Sequence, residues 1–301
     1  MERVTRQESA YAPFRHDALL YASEEEYLEG TVPFIREGLE AGEQVLVVLR
    51  QDGIGAIRDA LGSEGKSVRF ADMTAVGRNP ARIIPAWADF VARADGPVRG
   101  IGEPVWATRT PAELAEAQLH EELLNTAFGG TGGFWLRCPY DLTTLHPDVI
   151  AEVGHSHPAP DDVRHVTLAG QLPEPEQVLA DLEYDGTTLS AVRSAVRAHS
   201  EVAGLGESRL RHLVLAVHEA AANSVRHGGG RGALRIWRDG EAVVCEVRDR
   251  GYICDPLIGR VRPSPEAGGG RGVWMINQLC DLAQVRSSTA GTVVRMHQRI
   301  A

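Results

Sequence analysis

The sequence predicts two domains of different classes: an N-terminal α/β domain on a mostly parallel sheet, and a C-terminal α+β domain with helices on a mixed or antiparallel sheet. Three observations predict this. Short Val-, Ile- and Leu-rich runs alternate with helix-length segments through the first half. Pro158, Pro160, Pro173 and Pro175 crowd one stretch near the middle. Beyond it the order changes, with helices first and a hairpin after them.

In the first half, ALLYAS (18–23), QVLVVLR (44–50), SVRFADM (67–73), VRGIGE (98–103) and GFWLRCPY (133–140) read as strands, each followed by an amphipathic or polar helical segment. Strands apolar on both faces and alternating with helices indicate a parallel sheet covered on both sides. The segment SEEEYLEGTVPFIREGLEAG opens with Ser23 as a cap and an acidic first turn, and Gly42 stands near its end, which are start and stop signals of a helix. Proline density marks a boundary, so the domains are expected at 1–158 and 178–301, joined by a connection at 159–177. VRHVTLAG (163–170) is expected to form one strand near that connection.

In the second half, helices are expected over 188–203 and 207–227. The strands ALRIWRD and AVVCEVRD follow, joined at Asp239-Gly240, a strong hairpin dipeptide. A Gly-rich loop leads to a helix at about 270–280, and two strands close the chain. There is no internal repeat and no heptad run.

Composition narrows the function. The 301 residues suffice for two ordinary domains. No apolar run approaches the ~18–20 residues needed to cross a bilayer, and the first residues lack the apolar core of a secretory signal, so a cytoplasmic location is expected. Cys138, Cys245, Cys254 and Cys280 show no CxxC pair and no metal-ligand spacing, and read as reduced thiols. Residues 178–301 carry 16 Arg, no Lys and 13 acidic groups, a net of +3, whereas residues 1–177 carry a net of −13. An acidic half argues against nucleic acid as the main ligand. The basic half suits an anionic nucleotide or an acidic protein.

The helix SRLRHLVLAVHEAAANSVRHGGG marks a buried face with Leu210, Leu213, Val214, Val217, Ala221 and Val225. Glu219 and Asn223 are four apart and share another side. A carboxylate and an amide one turn apart can serve as base and metal ligand; alone, they more often mark a solvated face. The context adds to them. Asp249-Arg250-Gly251 stands at a strand exit, and the run Gly268-Gly269-Gly270-Arg271-Gly272 leads into a helix, where backbone N–H groups meet anions. Gly291-Thr292 opens the last strand.

These four pieces, in this order over about residues 175–301, resemble the N, G1, G2 and adenine-side motifs of the GHKL ATPases, whose Bergerat fold binds ATP. The resemblance implies that Glu219 is the general base, Asn223 a Mg²⁺ ligand, and Asp249 the acceptor for the adenine amino group, with Gly251 admitting the ring. It implies that Gly268, Gly270 and Gly272 wrap the phosphates, Arg271 supplies charge, and Thr292 supports the adenine side. The Ala220-Ala221-Ala222 spacer and Cys254 beyond the DRG motif depart from the family pattern.

About 40 residues separate the proline-rich boundary from Glu219. Neither His199 nor His212 there has the sequence context of a phosphoacceptor. The compact unit resembles instead the anti-sigma-factor serine/threonine kinases, whose acceptor lies on a separate STAS-domain antagonist and which also sequester sigma factors. The alternatives are a non-catalytic ATP-dependent binding switch and a divergent histidine kinase. Family relatives often dimerise, so a homodimer is compatible with the resemblance.

Over residues 12–158, His16 before ALLYAS, GEPVWATRTPAEL, EELLN, CPYD and the His157-Pro158 pair resemble the MEDS sensory domain, which implies a RecA-like α/β fold and a small organic ligand. Candidate ligand residues are His16, Glu103, Trp106, Arg109, Glu121, Cys138, Tyr140 and His157. The aromatics and the cysteine also suit a buried core. His16, Cys138 and His157 could meet as a metal site, which their spacing does not establish. GSEGKS (62–67) ends like a P-loop, but Ala60 stands where that motif needs Gly, and it follows a helix and leads into a strand, so it reads as a solvated turn.

Overall fold

A computed structural model describes residues 11–157, 165–264 and 270–300. The chain divides into two compact units, residues 1–165 and 166–301.

The first unit runs β1 (Arg15–Tyr21), α1 (Glu24–Glu40), β2 (Gln44–Leu49), α2 (Gln51–Leu61), β3 (Arg69–Asp72), α3 (Met73–Val76), α4 (Ile83–Val91), β4 (Val98–Gly102), α5 (Pro111–Phe128), β5 (Phe134–Asp141) and α6 (Pro147–Ser156). The sheet order is β1-β5-β4-β2-β3, and every pairing is parallel. The Val- and Leu-rich strands are central because they bury both faces, as Val45, Val47, Val48 and Leu49 do on β2. Ser23 caps α1 by accepting from Glu26 N–H at 3.1 Å, with Glu24, Glu25 and Glu26 in the first turn. GSEGKS forms a short 3₁₀ turn between α2 and β3, where Glu64 pairs with Arg36 at 2.7 Å on the surface.

Trp87 of α4 anchors this core. It is 1% exposed and packs on Phe134 at a ring separation of 5.9 Å. Trp87→Ala is expected to destabilise the unit by about 3–5 kcal/mol through the cavity it leaves, measured as a lowered urea midpoint.

The second unit runs β6 (Ala180–Asp185), α7 (Leu189–Val202), α8 (Glu207–His227), β7 (Arg231–Asp239), β8 (Ala242–Asp249), α9 (Arg271–Leu279), β9 (Leu282–Ser288) and β10 (Gly291–Arg299). The sheet order is β6-β7-β8-β10-β9. All four pairings are antiparallel, which resolves the expected mixed or antiparallel sheet as antiparallel. The helix α8 lies on β7, β8 and β10, with α7 and α9 beside it: an α+β layer with helices on one sheet, as in a Bergerat fold.

Three local readings change. β6 (ADLEYD) was not expected, because alternating acidic residues disguise a strand; it pairs with β7 along its whole length. VRHVTLAG does not form a strand over residues 165–170, and its first two positions lie outside the described residues. There the Leu168 carbonyl accepts from Ser287 N–H at 2.9 Å, and this one edge contact does not build a ladder. On α8, Val214 and Val225 are only half-buried, while Ala216, Ala220 and Ser224 are buried. Small side chains let the helix sit close on the sheet. No helix among the described residues is long and apolar enough to cross a membrane.

Candidate functional site

The C-terminal end of α8 meets the C-terminal end of β8, and the polar groups of the second unit gather there. Asp249 is fixed by two donors: Ser224 Oγ donates to its Oδ2 at 2.6 Å, and Gly251 N–H donates to its Oδ1 at 2.7 Å. The helix therefore grips the strand end through a carboxylate that is only half-buried. A Cβ at Gly228, which ends α8, would overlap that carboxyl group, so only glycine lets the helix terminus come this near.

Thr292 supports the same turn from behind. Its hydroxyl donates to the Gly251 carbonyl at 2.9 Å and shares a hydrogen bond with Ser287 Oγ at 2.8 Å. Ser287 in turn accepts from Ile253 N–H at 2.8 Å. In the ladder Thr292 stands opposite Asp249, so β10 sets the height of the turn.

Glu219 and Asn223 lie one turn apart on α8, both half-buried. A Cβ at Gly272, in the first turn of α9, would come 2.8 Å from Asn223 Nδ2 and 3.3 Å from Glu219 Oε2. The pair therefore faces the start of α9 across a gap that a side chain would fill. Gly270 precedes that helix with φ +82°, and Arg271 is its first residue. Helix N-termini leave N–H groups without intrahelical partners and favour anions, so this corner combines a carboxylate, an amide and an anion-facing helix start. Gly268 lies outside the described residues.

In the first unit the expected ligand residues separate into two groups. His16 on β1, Glu121 on α5, Cys138 on β5 and His157 just after α6 converge: their ligand atoms all lie within 4.8 Å of one another. His16 Nε2 is 3.3 Å from Cys138 Sγ and 3.5 Å from Glu121 Oε2. His157 Nε2 is 3.2 Å from Glu121 Oε2, to which Tyr140 OH donates at 2.7 Å. Burial acts to raise the Glu121 carboxyl, but the His157 and His16 rings overrule it and hold the group well below the usual carboxylate range. Burial, with the Glu121 carboxylate, pushes the Cys138 thiol up.

Glu103, just beyond β4, pairs instead with Arg50 at 3.2 Å. Burial pushes its carboxyl up against the opposing pull of Arg50. Trp106 is stacked under Arg109, whose guanidinium carbon is 3.6 Å from the ring centre. Arg109 donates to the carbonyls of Pro104 and Gly77 at 2.6 and 2.8 Å, contacts that hold a loop together.

Sequence reasoning missed three positioning residues. Ser224 follows Asn223 directly, and the signal was its position on the buried face of an otherwise apolar helix. Ser287 carries no local signal. Asn125 ends the EELLN segment, and its amide contacts His16 Nδ1 at 3.2 Å.

Residues 15–158 match the family described as MEDS, the methanogen/methylotroph, DcmR sensory domain. Residues 182–298 match the histidine kinase-like ATPase domain. No curated protein matches the chain. Among solved structures, the RsbU and RsbW domains of a Mycobacterium tuberculosis protein are similar over 40% of this chain and 32% of that one, at 21% identity and a TM-score of 0.30. The match thus spans about a third of that relative's chain.

Proposed function

We propose that this chain, a MEDS sensory domain followed by a histidine kinase-like ATPase domain, is a signalling regulator whose sensory half, on taking a small organic ligand, controls a Mg-ATP-dependent serine/threonine protein kinase of the anti-sigma-factor type. Its substrate would be a STAS-domain antagonist, and a sigma factor a second partner. The observation that carries this reading is the corner where Asp249, locked by Ser224 and Gly251, stands beside the Glu219–Asn223 pair facing the start of α9.

The residues fit a purine nucleotide with its cation. Each Asp249 oxygen spends one acceptor site on the protein and retains another for an exocyclic amine. The Asp249–Gly251 turn is closed from behind by Thr292, and a Cβ at Gly251 would press on Asp249 and the end of α8. Asn223 would offer its amide oxygen to Mg²⁺, a hard ion that takes oxygen ligands. Gly270, Arg271 and Gly272 would face the phosphates, with Gly268 as an expected fourth contributor. Bound Mg-ATP supplies the phosphoryl group and the cation that offsets its charge. Glu219 would accept the proton of the incoming hydroxyl. A serine or threonine acceptor on a separate protein accords with the sequence around His199 on α7 and His212 on α8, neither of which has the context of a phosphoacceptor.

The reading is tested by incubating the full chain with γ-labelled Mg-ATP and a STAS-type protein. Acid-stable label on a serine or threonine of that protein is expected. ATP-dependent complex formation without label would replace the kinase by a binding switch, and acid-labile label on this chain would replace it by a histidine kinase. Ser224→Ala, which removes one hydrogen bond to the Asp249 carboxylate, is expected to weaken Mg-ATP about tenfold or somewhat more, as measured by calorimetric titration.

A further inference from the structure

The geometry points to a buried metal site in the sensory unit, in which His16, Glu121, Cys138 and His157 bind one zinc-class divalent cation. Four separate segments deliver the ligands: neighbouring strands β1 and β5, the helix α5, and the end of α6. Their side chains are 2%, 1%, 1% and 5% exposed, so this is a dry interior rather than a solvated cluster.

The protonation pattern is fixed from outside the cluster. His157 Nδ1 lies 2.9 Å from the Val153 carbonyl oxygen. A carbonyl cannot donate, so Nδ1 carries the proton. Asn125 Nδ2 donates to the Ser156 carbonyl at 2.8 Å, which turns its Oδ1 toward His16 Nδ1 at 3.2 Å. His16 is therefore also protonated at Nδ1. Both rings thus turn Nε2 inward, toward a carboxylate and a sulfur, and in the neutral form each offers its lone pair there. Nitrogen, oxygen and sulfur atoms face one another there, with the Cys138 thiol reaching Glu121 Oε1 at 3.6 Å.

A shared proton satisfies this arrangement poorly. His157 Nε2 lies 3.2 Å from Glu121 Oε2, an oxygen that already accepts from Tyr140 OH. His16 Nε2 stands almost midway between Cys138 Sγ and Glu121 Oε2, at 3.3 and 3.5 Å. A proton points along one line, whereas a central cation serves all four donors. Zinc held at its usual ~2.0–2.3 Å bond lengths separates tetrahedral ligand atoms by about 3.3–3.6 Å. The observed separations begin at 3.2 Å and none exceeds 4.8 Å, a spread that side-chain rotation closes.

The donor set selects the metal. Two imidazoles, one thiolate and one carboxylate favour a borderline ion over Mg²⁺ or Ca²⁺. The outer contacts complete the pattern: Asn125 and the Val153 carbonyl hold the two rings, and Tyr140 holds Glu121. Histidine ligands are ordinarily oriented in this way. Four protein ligands in a closed pocket describe a saturated site.

The test uses the full chain, carrying an affinity tag without histidines and purified without chelator. One zinc per chain is expected by elemental analysis. After chelation, cobalt should restore visible bands of tetrahedral strength and a near-ultraviolet thiolate charge-transfer band. Cys138→Ser should lose the charge-transfer band, and His157→Gln should weaken cobalt at least a hundredfold, both with unchanged far-ultraviolet dichroism. Tyr140→Phe should keep the stoichiometry and weaken affinity about tenfold. A wild-type chain that takes up neither metal overturns the proposal, even if a variant fails to fold. So does a cobalt spectrum that Cys138→Ser leaves intact. Neither readout involves nucleotide, so failure of the kinase reading leaves this result untouched.

Discussion

Asp249→Ala should abolish measurable Mg-ATP binding while leaving the second unit folded. On the proposed reading, the substitution removes the acceptor for the exocyclic amine. It also frees Ser224 Oγ and Gly251 N–H, which now donate to the carboxylate at 2.6 and 2.7 Å. Hydrogen bonds to a charged group contribute about 1.5–3 kcal/mol each. Loss of the ligand contact together with the order of the turn amounts to roughly a hundred- to thousandfold in affinity. The fold should survive because Asp249 is half-buried at a strand end, and Val243, Val244 and Val247 of the same strand carry the core. Calorimetric titration with Mg-ATP is the measurement, with near-ultraviolet dichroism as the check on packing. Asp249→Asn keeps one acceptor and should fall between the two. Wild-type affinity in the alanine variant would remove Asp249 from the nucleotide site altogether.

Glu219→Gln should separate binding from transfer. The amide keeps the shape and polarity beside Gly272 but cannot take a proton at neutral pH. If Glu219 is the base, the rate of label transfer to a STAS-type substrate should fall about 10²–10⁴-fold, with Mg-ATP affinity changed by no more than a few fold. Asn223→Ala should instead weaken Mg-ATP and leave Mg-free nucleotide binding nearly as it was. Unchanged transfer in the glutamine variant would assign the proton to another acceptor. Equal losses of binding and transfer would make the carboxylate a ligand-holding group.

The class of each half was legible because it depends on local pattern. Runs such as QVLVVLR bury both faces and name the inner strands of a parallel sheet, and the Asp239-Gly240 dipeptide names the hairpin between β7 and β8. The i, i+4 spacing of Glu219 and Asn223 likewise put both on one side of α8. What stayed hidden depends on partners distant in the chain. β6 hid because ADLEYD carries three acidic residues and gains its ladder only from β7. The inward turn of Ser224 toward Asp249 depends on how closely α8 approaches the sheet, which its alanines set and which periodicity does not measure. The ligands of the buried cluster span residues 16 to 157, and no spacing rule connects positions that far apart.

The pairing of β1 with β5 also bears on how the chain is made. Arg15 stands opposite Trp135, so among the described residues β1 pairs with a strand that follows 120 residues later. At synthesis rates of about 5–20 residues per second, β1 waits roughly 6–24 s for that neighbour to leave the ribosome. Through that interval β2, β3 and β4 can pair among themselves, while the backbone of β1 has no sheet to join. The stretch around ALLYAS is therefore where a nascent-chain chaperone should bind, and where slowed translation should expose the unfinished domain longest.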